Sequence, residues 1–392
     1  MDISVSSLLD FTLRDWILGG IILLFFLIQF LFYFFLYRKP CRYESKRVKE
    51  LISDDELPPV SVVIVSKNES EELMLNLPYV LNQDYPNFEV VVVNSGSTDD
   101  TDMVLKGLEQ QYKNLYHTYI PAEAESANEK KLALTVGIKA AKNEILLFTE
   151  AYCKPSSNRW IREFAPLFLK GKDVALGFCK LEIAKNLPMR KFILYDNLIQ
   201  GLKYLSMALA GKPFMGIGRN MAYRKKLFFE NKGFSSILNI DDGEDDLFIN
   251  RIVKKRKTGV AISPDSMVST SSVDSFTTWR ALKSKYLYTK QFYRGFKSFL
   301  FGWETFSKYA FYLAVICAVG LYFVFKSTLL IPATALLLLL VRYAFQLIII
   351  NKESRLFEAG RYHIDLFLLD LFQPINNLKF KRYANKRNRM KR

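Results

Sequence analysis

Hydrophobic residues along the chain follow two different patterns, and the first is a set of long apolar runs. Residues 16–37, 306–325 and 329–350 are apolar except at a few positions. Each run is long enough to cross the hydrocarbon core of a bilayer, which takes about 20 apolar residues. The last two runs are separated only by a short polar turn, so they predict a hairpin of two membrane helices. The sequence therefore predicts three transmembrane helices.

The second pattern lies between the first two apolar runs, where short hydrophobic stretches alternate with amphipathic segments. Residues 60–66, 89–93 and 144–149 are rich in β-branched or aliphatic side chains, as buried parallel strands are. Apolar positions at helical spacing follow, over 69–81, 99–112 and 129–142. This alternation predicts an α/β domain with a parallel sheet and helices on both faces. In such sheets ligands bind beyond the carboxyl ends of the strands.

Basic residues are sorted to one side of the predicted membrane. Lys and Arg follow the first apolar run, precede the second and follow the third. The positive-inside rule then predicts a multi-pass protein of the inner, cytoplasmic membrane, with its middle and C-terminus in the cytoplasm. The first run is too long for a cleaved signal peptide and lacks a basic start. The predicted units are a short non-cytoplasmic N-terminus (1–15), a basic linker (38–57), a cytoplasmic domain (58–300) and a basic cytoplasmic tail with an interfacial helix (351–392).

The net charge is strongly positive, with 55 Lys and Arg against 39 Asp and Glu, or +16. Much of the excess lies beside the predicted membrane helices, where it would bind an anionic lipid surface. No base-reading motif accompanies it, so we expect no nucleic-acid binding. The four cysteines are scattered and there are two histidines, which argues against a disulfide framework and a His-based metal site. Arg342, inside the third apolar run, is expected to face protein or to reach the membrane surface.

Seven short motifs occur in order along the predicted cytoplasmic domain. They are VSVVIVSKNE (60–69), QDYP (83–86), VVVVNSGSTDDT (90–101), KxxALT (130–135), ILLFTEAYC (145–153), GxGxN (216–220) and GEDD (243–246). Together they resemble the membrane-bound family 2 glycosyltransferases. The resemblance implies a GT-A fold, which is a Rossmann-like, mostly parallel sheet with helices on both faces. It also implies inverting transfer of a sugar from a nucleotide-sugar donor to an acceptor hydroxyl.

An inverting transfer needs a general base for the acceptor hydroxyl. The resemblance places the family's Glu-Asp motif at Glu244 and Asp245, so Asp245 is the predicted base, with Asp246 as the alternative one position on. The same acidic run precedes a helical segment over 247–253. It therefore also fits the N-terminus of a helix with no catalytic role, where the helix dipole favours carboxylates.

The resemblance places donor-binding residues at the ends of the predicted strands. They are Ser66, Asn68, Glu69, Asn94, Ser95, Lys130 and Glu150. Active relatives carry an Asp-x-Asp motif that holds Mg²⁺ or Mn²⁺ on the diphosphate, and here that position reads Glu150-Ala151-Tyr152. Two alternatives follow: Glu150 binds the metal together with diphosphate oxygens, or Lys and Arg replace the ion.

The acceptor side is expected in two segments. The first supplies Gly216, Gly218 and Asn220, with Arg219 as a further candidate near the sugar. The second falls on 282–286, where relatives carry a Gln-x-x-Arg-Trp type motif and where Lys285 is the predicted contact. The alternative is a basic interfacial helix whose aromatic residues, such as Tyr286 and Tyr293, face the membrane.

Two functions fit this sequence. The first is an inverting glycosyltransferase of hexosyltransferase type, acting on a lipid-linked or cell-surface glycan acceptor at the cytoplasmic membrane face. The second is a catalytically impaired relative that serves as a membrane scaffold or as the partner subunit of another membrane protein. The second is considered because both the Asp-x-Asp and the Gln-x-x-Arg-Trp type motifs have diverged.

Overall fold

Two sheets form the framework of the middle of the chain. The computed structural model describes residues 11–48, 52–121, 128–295, 297–325 and 328–390. The strands are β1 (Val60–Ser66), β2 (Phe88–Ser95), β3 (Leu115–Ile120), β4 (Ile145–Phe148), β5 (Cys153–Pro155), β6 (Val174–Gly177), β7 (Cys179–Ile183), β8 (Met221–Arg224), β9 (Thr258–Ala261) and β10 (Val268–Val273). The larger sheet has the order β3-β2-β1-β4-β8-β6-β9, and the smaller one the order β5-β10-β7.

Helices surround these sheets and continue to the C-terminal end. They are α1 (Leu13–Leu31), α2 (Lys39–Ser45), α3 (Ser70–Leu81), α4 (Thr101–Gln111), α5 (Glu129–Ala140), α6 (Trp160–Leu169), α7 (Arg190–Leu209), α8 (Lys225–Glu230), α9 (Asp246–Ile252), α10 (Phe276–Thr289), α11 (Lys297–Phe325), α12 (Leu330–Leu356) and α13 (Asp365–Met390). A π-helical turn, Phe32–Tyr37, continues α1 towards α2.

The prediction of a mostly parallel α/β sheet is confirmed. β1 pairs in parallel with β2 and β4, β2 with β3, and β6 with β9, whereas β8 runs antiparallel to β4 and β6. In β1, Val62 packs with the helices on one face, and the next residue, Val63, packs with those on the other. Successive side chains of a strand point to opposite faces, so both faces of this sheet are covered, as expected.

Within the described ranges, three helical segments are long and apolar enough to cross a membrane. They are Leu13–Ser45, Phe299–Val324 and Leu330–Leu356, and all three are longer than the apolar runs that predicted them. Their shared core includes Ile22, Phe311 and Ala335. The predicted N-terminal unit 1–15 and basic linker 38–57 lie partly outside the described residues, so their division from the rest stays a prediction.

Arg342 faces protein, which was one of the two alternatives predicted from the sequence. Its guanidinium donates to the Tyr312 hydroxyl at 2.8 Å, to Gln29 Oε1 at 3.1 Å and to Asp370 Oδ2 at 3.2 Å. Lys308 Nζ also lies 2.9 Å from Asp370 Oδ1. These buried charges compensate one another, which is the condition for placing them among membrane helices.

The last helix, α13, joins the membrane helices to the helix that borders the site described below. It lies in the tail 351–392, where an interfacial helix is predicted, but its Asp370 is buried against Lys308 and Arg342 instead of facing water. Further along α13, the ring of Phe380 packs edge-on against Trp279 of α10, with centroids 4.9 Å apart. The position of α10 therefore depends on contacts with the C-terminal segment.

Candidate functional site

A turn between residues 240 and 246 carries the acidic motif to the edge of the sheet. The buried Lys131 of α5 donates from Nζ to the carbonyl oxygens of Ile240 and Asp242, at 2.8 Å for the latter. Asp242 and Gly243 both have left-handed backbone angles, with φ of 61° and 89°. This reversal brings Glu244 and the start of α9 back towards α5 and β4. Two carbonyls on one buried ammonium therefore fix the turn that presents the acidic residues.

Asp245 is held rigidly at the N-cap of α9. Its Oδ2 accepts from the Gly218 backbone N–H at 2.9 Å and from the Tyr286 hydroxyl at 3.0 Å, and its Oδ1 accepts from the Asp246 N–H at 2.8 Å. Only 2% of the residue is exposed, yet it lines a cavity of about 20 Å³. The structure therefore fixes this carboxylate in one orientation beside a cavity, as a general base requires.

Two lysines bridge the carboxylates around the same cavity. Lys285 Nζ lies 2.7 Å from Glu244 Oε1 and 3.7 Å from Asp245 Oδ1. Lys130 Nζ lies 2.7 Å from Glu150 Oε1 and 3.4 Å from Glu244 Oε1. A chain of alternating charges thus connects the end of β4 with the start of α9.

These ion pairs keep the groups charged. Burial opposes ionisation of Glu244, but Lys285 and Lys130 outweigh it and hold the pKa of this carboxyl well below its usual range. Burial likewise disfavours the charged form of Lys285, but Asp245 and Glu244 raise the pKa of its ammonium well above the usual value. The pKa of Lys130 is raised in the same way, against burial, by Glu150 and Glu244. Both ammonium groups are therefore cationic at neutral pH.

Asp246 does not line the cavity. Its Oδ2 accepts from the hydroxyls of Thr289 and Tyr293, the latter at 2.6 Å, and its Oδ1 accepts from the Leu247 N–H at 2.7 Å. Burial and the neighbouring charge of Asp245 raise the pKa of this carboxyl to about 8. Of the two candidate bases, the structure therefore favours Asp245 and gives Asp246 a part in anchoring α9 to α10.

The predicted donor residues at the ends of β1 and β2 come together. Ser66 and Asn94 are register partners on the two strands, and both are buried, as is Ser95. Asn68 has a left-handed φ of 54°, and its Oδ1 accepts from the Thr98 N–H at 2.8 Å. The two strand-end loops are thus tied to each other at the edge where ligands bind such sheets.

Glu69 and the aspartates after β2 have different surroundings and different roles. Burial and the charge of Glu150 raise the pKa of Glu69 to about 7, so this carboxyl titrates near neutrality. Asp99 accepts from the Ser70 N–H and the Thr101 N–H, each at 3.1 Å, and so serves the first residues of both α3 and α4. Asp99 therefore caps both helices, whereas Asp100, although at the N-cap of α4, makes no capping bond with its side chain.

The glycine loop that precedes β8 is packed tightly against the site. A Cβ on Gly218 would lie 3.1 Å from Asp245 Cβ and 3.2 Å from its Oδ2, and one on Gly216 would lie 2.9 Å from Leu176 Cδ2. All three distances are shorter than ordinary van der Waals contacts, which begin at about 3.5 Å. Gly218 therefore allows the backbone N–H to reach Asp245, and Gly216 fills a packing position in the core.

Asn220, predicted to contact the acceptor, is instead saturated inside the protein. Its Oδ1 accepts from Trp160 Nε1 at 3.0 Å, and its Nδ2 donates to the carbonyls of Phe178 and Ser266 at 2.7 and 3.0 Å. None of its surface is exposed. This placement argues against acceptor contact and gives Asn220 a structural role, since it satisfies three buried polar groups.

The donor set at the end of β4 does not fit a resident divalent cation. Mg²⁺ and Mn²⁺ take several hard oxygen ligands, which in proteins are commonly one or two carboxylates together with waters and substrate phosphates. Here Glu150 is followed two positions on by Tyr152, a neutral phenol at pH 7 because burial raises its pKa well above the usual value. The Oε1 of Glu150 is already bonded to Lys130. Among the residues that the structure describes, no group of three or more His, Cys, Asp or Glu could hold a metal ion.

Sequence reasoning missed the hydroxyl groups of α10 and the segment after it. Tyr286 and Tyr293 were considered as membrane-facing aromatics, but their hydroxyls bond to Asp245 and Asp246, so that alternative is wrong for these two residues. Thr289, between them, also bonds to Asp246. Tyr286 and Thr289 are three positions apart in α10 and share one of its faces, and a polar pair at that spacing beside Lys285 was the available signal.

Part of the chain is similar to known proteins. Residues 61–230 match the model of "Glycosyl transferase family 2". This segment is a family 2 glycosyltransferase domain. A poly-β-1,6-N-acetyl-D-glucosamine synthase of Staphylococcus epidermidis is 29% identical over 136 residues, 35% of this chain and 29% of the synthase. Glycosyltransferase AglE of Haloferax volcanii is 34% identical over 123 residues, 31% of this chain and 39% of AglE.

The likeness to solved structures concerns the fold. A mannosyltransferase, PcManGT from Pyrobaculum calidifontis, solved in complex with GDP-Man and Mn²⁺, superposes with a TM-score of 0.52 at 19% identity. The superposition covers 87% of this chain and 97% of that structure. It confirms the predicted GT-A fold. The matches to the two sequence relatives span only about a third of their lengths.

Proposed function

We propose that the protein is an inverting glycosyltransferase that moves a sugar from a nucleotide-diphosphate donor to an acceptor hydroxyl at the cytoplasmic face of the inner membrane. The family 2 domain supports the reaction class. The observation that carries the proposal is the fixed Asp245 carboxylate, which lines a cavity together with Lys130 and Glu150 at the carboxyl end of β4. Ligands of open α/β sheets bind beyond the carboxyl ends of the strands, which supports a donor site at this edge.

In the proposed reaction, Asp245 accepts the proton of the acceptor hydroxyl as that oxygen attacks C1 of the donor sugar. The bond from C1 to the diphosphate oxygen breaks on the opposite side of the ring, and its electron pair leaves with the nucleoside diphosphate. The configuration at C1 is therefore inverted. The bonds from Gly218 and Tyr286 hold the carboxylate in place for this proton transfer.

The acceptor is proposed to be lipid-linked or part of a cell-surface glycan. Three segments long enough to span a membrane flank or follow the catalytic domain, and α13 packs on both them and α10. The site residues Lys285 and Tyr286 lie on α10, so the acceptor side of the site is connected to the membrane helices through packed contacts. An acceptor anchored in the bilayer would approach from that side.

The test is a transfer assay with the full chain in lipid nanodiscs, supplied with membrane lipid extract and a panel of labelled UDP- and GDP-sugars. The proposal predicts label in the lipid or polymer fraction with one donor, and a product anomer inverted relative to that donor by nuclear magnetic resonance. Retention of configuration would refute the single displacement. Absence of transfer with every donor would refute the enzyme.

One observation favours the second candidate, a scaffold or partner subunit. The cavity beside Asp245 measures about 20 Å³, which is room for about one water molecule and not for a sugar. Lys130 and Glu150, whose ion pair spans this cavity, would have to separate before a donor enters. A scaffold predicts that no UDP- or GDP-sugar binds and that another membrane protein co-purifies at constant ratio.

A further inference from the structure

Arg219 is a buried cation that the proposed reaction does not use. It lies between Gly218 and Asn220 in the short 3₁₀ turn Gly218–Asn220, is 5% exposed, and its Nη1 has no hydrogen-bond partner among the described residues. An unpaired buried charge is costly, because the guanidinium loses its hydration without compensation. Such a group in a site that handles an anionic donor points to an anion that completes it.

Arg219 is surrounded by phenols and thiols, and one of these phenols stands where a metal-binding motif would have a carboxylate. The groups that act on its charge are Cys179, Tyr286, Tyr152 and Cys153. Tyr152 stands at the second position of the diverged Asp-x-Asp motif. Arg219 and Lys285 both act electrostatically on Tyr152 and Tyr286, so the two cations approach the same pair of phenols.

Six charged groups of this region sum to zero charge without a metal ion. Three cations, Lys130, Lys285 and Arg219, stand against three carboxylates, Glu150, Glu244 and Asp245. In an Asp-x-Asp site, two carboxylates and one divalent cation also sum to zero. Here the neutral Tyr152 and the cationic Arg219 replace one carboxylate and the ion with the same net charge.

We propose that Arg219, together with Lys130 and Lys285, binds the diphosphate of the donor nucleotide and neutralises it without a divalent cation; this rests on the proposed function. The guanidinium presents a planar fork of donors that matches phosphate oxygens, and the two ammonium groups act as point charges. As the bond from C1 to the diphosphate oxygen breaks, these groups stabilise the charge that develops on the leaving group.

Entry of the donor exchanges one set of ionic contacts for another. Lys130 and Lys285 release carboxylate oxygens of Glu150 and Glu244, and diphosphate oxygens take their place. The Nη1 of Arg219 gives up no hydrogen bond, because it has none among the described residues. Its contribution to diphosphate affinity should therefore be the largest of the three.

The experiment is calorimetric titration of the detergent-purified full chain with UDP and with GDP, first in EDTA and then with Mn²⁺ or Mg²⁺. We expect one of the two nucleotides to bind in EDTA, with an affinity that changes less than about threefold on adding metal. Arg219→Gln should weaken binding about ten- to hundredfold, the range for loss of a charge-assisted hydrogen bond, and Arg219→Lys should restore part of it.

Matched variants separate this role from general effects of charge and folding. Lys106→Gln removes an exposed cation of α4, whose side chain is 64% exposed, and should leave binding unchanged. Tyr152→Asp introduces a carboxylate beside the guanidinium and should weaken binding in EDTA about tenfold or more, even if Arg219→Gln fails to fold. Cys179→Ser should change affinity less than about twofold, because the thiol is not the ligand's partner.

The possible results distinguish this inference from the proposed function. Binding that is lost in EDTA and restored by Mn²⁺ would overturn the metal-independent site and leave the glycosyltransferase intact. If Cys179→Ser loses as much nucleotide affinity as Arg219→Gln, the Arg219 guanidinium acts on the Cys179 thiol and not on the ligand, and the inference is overturned as well. No binding of either nucleotide in any condition would contradict the proposed function itself.

Discussion

Gly218→Ala should slow catalysis in a protein that still folds. The added methyl group would lie 3.1 Å from Asp245 Cβ and 3.2 Å from its Oδ2, several tenths of an ångström inside ordinary contact. Relief of that contact has to move Asp245 or the loop, and it lengthens the 2.9 Å bond from the Gly218 N–H. Overpacking of this kind costs about 1–3 kcal/mol of stability. A base displaced by a few tenths of an ångström should lower kcat by about tenfold, since about 1 Å can cost a hundredfold.

The assay compares kcat, the affinity for the donor nucleotide and the melting temperature of Gly218→Ala with those of wild type. Gly107→Ala is the matched control, because a Cβ at this position in α4 meets nothing within 4 Å. Alanine is favoured over glycine inside a helix by about 0.5–1 kcal/mol, so this control should gain stability and keep its activity. Wild-type kcat in a folded Gly218→Ala protein would refute the tight placement of the base.

Three further changes test other parts of the structure. Asn220→Ala leaves three buried polar partners unsatisfied and should cost about 3 kcal/mol or more, seen as a lowered melting temperature; an unchanged melting temperature with a raised acceptor KM would instead support acceptor contact. The pKa of Glu69 is raised to about 7, so the folded state holds a proton that the unfolded chain releases above its ordinary pKa near 4.5. The stability that this group contributes is therefore lost as pH rises through 7, and Glu69→Gln should flatten the fall in melting temperature between pH 5 and 8. An unaltered slope would contradict the raised pKa. Asp370→Asn should cost about 3–5 kcal/mol, because Lys308 and Arg342 lose a buried counter-ion, and a detergent melting curve equal to wild type would exclude that role.

The framework of the fold was predictable because its signals are local in the sequence. The run 60–66 coincides with β1, and helix-period segments predicted α3, α4 and α5 to within two residues at each end. Membrane helices and parallel strands are long apolar patterns, so their detection needs no knowledge of distant contacts. The small sheet of β5, β7 and β10 was not predicted, because its short strands carry no comparable period.

The candidate site was predictable only where a motif fixed the register. Asp245, Lys130 and Glu150 meet at one cavity, as expected from the strand ends and the acidic motif. The partners of Asp246 come from α10 and the residues after it, more than 40 positions along the chain, and their place depends on tertiary packing. Asn220 matched a motif, yet the sequence could not show that its side-chain amide is fully hydrogen-bonded to buried groups.

The most direct test of the central claim is the turnover of Asp245→Asn, measured with the donor that wild type uses. Asparagine keeps the size and one of the two acceptor oxygens, which serves Gly218 and Tyr286 but not the Asp246 N–H, and it cannot take a proton. We expect turnover to fall about 10²–10⁴-fold, with the donor Kd within about threefold of wild type. Asp274→Asn, an exposed change on the same domain, should be fully active. Turnover of Asp245→Asn close to wild type would contradict the assignment of Asp245 as the base.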